Sequence, residues 1–154
     1  MLLLYATLII YLAMLAVTLL AAFAWGDVDA RAAGWITIAG VVATQLAWAV
    51  GPRWTAFDPG IFAVDAAMAI GYAMVARRSL RWWPIWLTAA QLASVLTHFA
   101  PLAAPEKMQG LYQLSQPAWM FIVLGAIAYG SIRSRPRPIR PSPNSGVGSP
   151  PSQR

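Results

Sequence analysis

The chain contains no cysteine and a single histidine, His98. The first absence excludes disulfides, thiolate metal ligands and cysteine nucleophiles together. The second leaves too few ligands for a usual metal site and excludes a haem held by two imidazoles of this chain, so no metal and no cofactor are expected. Charge is scarce too: 10% of the 154 residues are charged, and only five side chains are acidic. No motif of a kinase, hydrolase, haem protein, P-loop protein or rhomboid-type protease occurs, which argues against an enzyme.

What is abundant is apolar surface. Hydrophobic residues make up 59% of the chain, and the mean hydropathy of +0.59 lies outside the range of ordinary soluble domains. The expected fold is therefore all-α, a polytopic bundle of membrane-crossing helices in the lipid bilayer. A crossing needs about 20 predominantly apolar residues. Five stretches qualify, at about residues 2–25, 34–51, 59–76, 82–100 and 117–132. The third opens on Asp58-Pro59, an N-cap acceptor followed by proline at the first helical position. Residues 1–133 form the bundle on this reading. Residues 134–154, rich in proline and arginine, have almost nothing to bury and read as a disordered tail. A short interfacial helix is expected at 105–114, between the fourth and fifth spans.

Orientation follows from the distribution of basic residues, which favours the cytoplasmic side. Arg31, Arg77, Arg78, Arg81, Arg133, Arg135, Arg137, Arg140 and Arg154 fall on one side of the zigzag, with only Arg53 and Lys107 on the other. The N-terminus is thus expected outside and the C-terminus inside. Trp25, Trp35, Trp48, Trp82, Trp83, Trp119 and Tyr129 all fall near proposed span ends, where amphipathic rings favour the headgroup zone. A cleaved signal peptide over residues 1–24 is the rival, since Ala22-Phe23-Ala24 fits a cleavage pattern. No Lys or Arg precedes the apolar run, however, and cleavage would reverse the arginine asymmetry. The net charge of +6 would suggest nucleic acid in a soluble protein. Here the basic residues flank apolar spans, so anionic lipid headgroups are the expected counter-ions, with Arg77, Arg78, Arg81, Arg133, Arg135 and Arg137 as contacts, and no nucleic acid partner.

Ionisable groups inside a span are expensive, so each one calls for a role. Asp65 lies in the outer half of the third span and His98 near the outer end of the fourth. With a helix rise of about 1.5 Å per residue, their depths differ by roughly 5 Å. Gln91, Ser94 and His98 share one face of the fourth span by their spacing, and Gln45 of the second span sits in the same outer half. Asp65, His98, Gln91 and Gln45 are therefore the candidate intramembrane polar site. As a hydrogen-bonded clasp such a cluster fixes helix packing. As a titrating pair, Asp65 and His98 would hold or pass a proton, with Gln45 and Gln91 orienting them. Contact with a partner subunit is the third reading. Ala63, Ala67 and Gly71 also place small residues at every fourth position of the third span, a pattern that permits close approach of a neighbouring helix or a second copy.

The stretch from Asp65 through Arg77-Arg78-Ser79-Leu80-Arg81-Trp82-Trp83-Pro84-Ile85-Trp86 to Gln91 and Leu96-Thr97-His98 resembles uncharacterised small multi-spanning proteins of bacterial inner membranes. The resemblance covers the third and fourth spans, implies that location and brings no activity with it. No inverted repeat of the transporter kind is present, and five spans cannot divide evenly. The expected role is an accessory or scaffold subunit of a membrane complex, with a membrane-protein partner or a second copy of itself. The alternative is a proton-coupled or small-molecule transport or binding protein built on Asp65 and His98.

Overall fold

The computed structural model describes residues 2–50, 58–100 and 109–133. Among these the chain is all-α, with five helices and no strand: α1 (Leu2–Trp25), α2 (Val28–Val50), α3 (Pro59–Arg78), α4 (Trp83–Thr97) and α5 (Gln109–Arg133). Three are long and apolar enough to cross a membrane, through Tyr5–Trp25 of α1, Val28–Ala49 of α2 and Pro59–Arg78 of α3. The apolar part of α5, Ala118–Arg133, is shorter. The 15 residues of α4 span about 22 Å, less than the roughly 30 Å of a hydrocarbon layer.

Capping chemistry explains where several helices depart from the sequence expectation. The carboxylate of Asp27 accepts the backbone N–H of Ala30 at 2.9 Å, so α2 begins at Val28 rather than near residue 34. Three charges at 27–31 read as loop, yet aspartates suit a helix N-terminus, where the dipole and the unpaired N–H groups favour negative charge. At α3 the expected cap forms: Asp58 accepts from Gly60 N–H at 2.9 Å and Ile61 N–H at 3.1 Å, with Pro59 in the first turn. That helix continues to Arg78, two residues past the expected end. By contrast α4 stops early, at Thr97, and His98 and Phe99 form a turn.

The separate interfacial helix expected at 105–114 is absent from residue 109 onward, because α5 runs unbroken from Gln109 through Pro117 to Arg133. Proline removes one helical hydrogen bond but does not end this helix. Residues 105–108 and the tail at 134–154, with Arg135 and Arg137, lie outside the described residues.

Consecutive helices are neighbours, and α5 returns to pack on α1, which closes the bundle into a ring. Contact between α1 and α2 is the slightest along that ring. The interior is made of small and medium side chains, including Ala22, Ala30, Ala33, Ala90, Met68, Leu87, Val123 and Ile127, together with Tyr72 and Trp83. Large apolar residues instead face outward, among them Ile9, Val17, Leu20, Trp35, Leu46, Ile70, Ile85 and Leu96. Small residues within and large apolar ones without is the pattern of a bundle solvated by lipid.

Close approach depends on two glycines. A Cβ at Gly130 would lie 2.5 Å from the Trp83 indole, so α5 meets α4 through bare backbone. A Cβ at Gly40 would collide with the Met68 side chain, where α2 crosses α3. The small-residue stripe of α3 divides: Gly71 is buried against Ile36, but Ala63 and Ala67 are exposed, so the stripe does not line one helix contact.

Three contacts gather one end of the bundle. Arg81 Nε lies 3.2 Å from Asp27 Oδ2, tying the α3–α4 turn to the α1–α2 turn. The Trp82 and Tyr129 rings lie 5.3 Å apart, and Arg133 Nε donates to the Tyr129 hydroxyl at 3.0 Å. Arg31, Arg77, Arg78, Arg81 and Arg133 therefore sit at the same end. Asp65 and His98 lie toward the other.

Candidate functional site

The carboxylate of Asp65 is the centre of a buried tetrad. Gln91 Nε2 donates to Oδ1 at 3.1 Å and also reaches the Asp65 backbone carbonyl at 3.4 Å. Ser94 Oγ donates to Oδ2 at 3.4 Å, and His98 Nε2 lies 2.9 Å from the same oxygen. All four residues are at least 92% buried. Gln91 and Ser94 stand on α4 and His98 caps its C-terminal end, and the 91, 94, 98 spacing turns all three toward α3. Both carboxylate oxygens are thereby satisfied, which matters because an unsatisfied buried acceptor costs about 1–3 kcal/mol.

The Phe62 ring covers His98 edge-on, with centroids 6.0 Å apart, and Phe62 in turn meets Phe99 at 5.3 Å. These rings make a low-dielectric surround for a charged or proton-sharing pair. With His98 protonated the contact is an ion pair; with it neutral, Nε2–H donates to the carboxylate.

Ser94, His98 and Asp65 are the residue types of a hydrolytic triad, but not its geometry. A triad runs hydroxyl to imidazole to carboxylate, so that the imidazole takes the hydroxyl proton. Here Ser94 and His98 both point to Oδ2 of the carboxylate. The hydroxyl-to-imidazole step of a triad is therefore not formed. The arrangement can hold two helices together, and it can hold a proton.

Of the residues expected to form this site, Asp65, His98 and Gln91 converge and Gln45 does not. Gln45 is exposed on α2. The buried side of α2 carries Ala33, Thr37 and Gly40, and Gln45 lies about 140° around the helix from Gly40 at 3.6 residues per turn. Thr37 takes the inward place that the sequence suggested for Gln45. Its hydroxyl donates to the Ala33 carbonyl at 2.9 Å, so the Tyr72 hydroxyl, also at 2.9 Å, must donate to Thr37. This clasp joins α2 to α3. No spacing rule in the sequence would have paired Thr37 with Tyr72. The Asp27–Arg81 pair was equally hidden, although an aspartate just ahead of an apolar run is a recognisable cap signal.

Among the expected headgroup contacts, Arg77 and Arg78 are exposed at the end of α3. Arg81 is drawn toward Asp27, and Arg133 lies over the Tyr129 ring at 5.6 Å, so these two are partly engaged within the protein. Two buried indole nitrogens, Trp83 Nε1 and Trp119 Nε1, have no hydrogen-bond partner among the described residues. A cleft of about 250 Å³ runs beside the tetrad between α3 and α4, lined by Ala66, Ala69, Ile70, Thr88, Leu92 and others. None of the four tetrad residues lines it.

No protein family, curated protein or solved structure matches this chain.

Proposed function

We propose that this protein is a five-span integral protein of the bacterial inner membrane that serves as a non-catalytic accessory or scaffold subunit of a larger membrane complex. The observation that carries the reading is the saturation of Asp65. Its carboxylate is occupied by Gln91 and Ser94 of the neighbouring helix and by His98 just beyond that helix's end, and it does not line the 250 Å³ cleft between α3 and α4. A polar group so enclosed sets the rotation and depth of α4 against α3. On this reading α4 is a short crossing, accommodated by local thinning of the bilayer. The clustering of five arginines at one end of the bundle supports a cytoplasmic position for that end. It supports an outer N-terminus with it.

The assembly reading is tested by crosslinked pull-down from native membranes with mass spectrometry, comparing the wild type with Asp65→Asn. A stable partner should be recovered with the wild type, and the substitution should lower the amount of protein or of complex. Orientation is tested with single cysteines at Ser79 and Gln109, since the chain has none of its own. An impermeant thiol reagent added to the outer face should label position 109 and spare 79. Labelling at 79 instead would reverse the bundle.

A second reading is favoured by the 2.9 Å separation of two titratable groups, Asp65 Oδ2 and His98 Nε2, at the α4 end away from the arginines. There the pair would couple a proton to transport or binding. It requires Asp65→Asn to abolish a pH-dependent flux in proteoliposomes while leaving the amount of protein unchanged. If neither a partner nor a flux is found, both readings fail.

A further inference from the structure

The slight contact between α1 and α2 leaves a cleft with a particular chemistry. The two helices touch at their shared turn, where Gly34 sits against Ala22 and Phe23, and beyond it α1 packs chiefly on α5. The space that opens between them is about 700 Å³ and is lined by Ala16, Leu19, Leu20, Phe23, Ala24 and Ile38. Every lining residue is apolar, and Leu20 is 69% exposed.

A cation stands at one end of this cleft. Arg31, Trp35 and Ile38 fall within about 60° of one another around α2, at about 100° per residue. Ile38 lines the cleft, and the Trp35 ring meets Phe23 at 5.1 Å, so this face turns toward α1. The Arg31 guanidinium is exposed and has no ion-pair or hydrogen-bond partner among the described residues. The two acids that precede it in the chain do not neutralise it: Asp27 is engaged by Arg81 and Ala30, and Asp29 lies on the opposite side of α2. An unpaired cation, an interfacial tryptophan and an apolar channel thus follow one another along a single face, in the order of a phospholipid's phosphate, glycerol and acyl chain.

We propose that the α1–α2 cleft binds one anionic phospholipid, with its phosphate on Arg31, its glycerol region against Trp35 and an acyl chain along Leu20, Phe23 and Ile38. This inference requires that α1 and α2 lie in the bilayer but does not depend on the accessory-subunit reading. The occupant is a lipid rather than free phosphate because the cleft offers the acyl chain far more contact than Arg31 offers the headgroup. The apolar contact supplies affinity, and Arg31 supplies the preference for negative charge.

The test is native mass spectrometry of the full chain released from nanodiscs of equal parts phosphatidylglycerol and phosphatidylcholine. The wild type should retain one phosphatidylglycerol in preference to phosphatidylcholine. Arg31→Gln should reduce that preference about fivefold, equivalent to about 1 kcal/mol for one basic residue near the membrane surface. Arg133→Gln should leave it intact. Leu20→Trp, which fills the cleft while keeping Arg31, should lower retention of both lipids. The proposal is overturned if the wild type shows no preference, if Arg31→Gln retains it, if millimolar inorganic phosphate displaces the adduct, or if the spectrum shows a dimer that Leu20→Trp dissolves. Alkaline carbonate extraction tests the membrane placement separately. A chain that washes off the membrane defeats that placement whatever the lipid result.

Discussion

Asp65→Ala is expected to destabilise the bundle by about 2–3 kcal/mol, because one substitution removes the acceptor of three interhelical donors. Interhelical hydrogen bonds within membranes average about 0.6 kcal/mol and reach about 1.7. Gln91, Ser94 and His98 each lose such a bond and remain buried between α3 and α4. Asp65→Asn keeps one oxygen and should cost about half as much, while His98→Ala should cost about 1 kcal/mol. The Asp65/His98 double-mutant cycle, measured by unfolding in detergent micelles, should give a coupling of about 1 kcal/mol, as for residues sharing one network. Gln45→Ala supplies the contrast. Since Gln45 is exposed on α2, its loss should fall within about 0.5 kcal/mol of zero. Equal costs at Gln45 and Asp65, or an Asp65→Ala protein as stable as the wild type, would sink this account of the tetrad.

A single methyl group at Gly130 should have a comparable effect by a different route. The new Cβ would lie 2.5 Å from the Trp83 indole, a rigid ring that is 2% exposed and packed in the core. Neither ring nor helix can yield locally, so α4 and α5 must separate, at the usual overpacking cost of about 1–3 kcal/mol. Gly125→Ala, in the same helix, has nothing within 4 Å of its added Cβ. It should stabilise by up to about 1 kcal/mol, since alanine is the better helix former by that amount. The same unfolding assay should therefore move in opposite directions for two Gly→Ala changes five positions apart in sequence. If both move the same way, the α4–α5 contact is not as described. Gly40→Ala should be milder than Gly130→Ala, because the obstructing Met68 is a flexible side chain that can swing aside.

The two substitutions also mark the boundary of what could be read before folding. The tetrad was legible because its parts obey local rules. Gln91, Ser94 and His98 share a face by helical period, and the tight turn between α3 and α4 makes Asp65 a neighbour of that face. The start of α3 was legible because Asp58 and Pro59 are chemically suited to a helix N-terminus. Gln45 misled because period alone does not say which side of a helix turns inward. That rotation is fixed by Gly40 against Met68 and Gly71 against Ile36, contacts between residues far apart in the chain. The early start of α2 was hidden by its charges, which look like loop until Asp27 is seen capping Ala30 and meeting Arg81.

By itself the sequence determined the solvent and the helical class of this protein. A chain with 59% hydrophobic and 10% charged residues, whose apolar runs are bounded by basic or proline-containing turns, can satisfy its backbone in lipid only as helices. It also determined that the fourth apolar run carries a glutamine, a serine and a histidine on one face. Only the tertiary structure decided that all three would fall on one carboxylate, that Thr37 rather than Gln45 would turn inward, and that α5 would return to α1 and leave the α1–α2 cleft beside Arg31. The physical reason is the same in each case. Hydropathy and period act along one helix, whereas rotation, depth and neighbour are settled where side chains of different helices must share the same space.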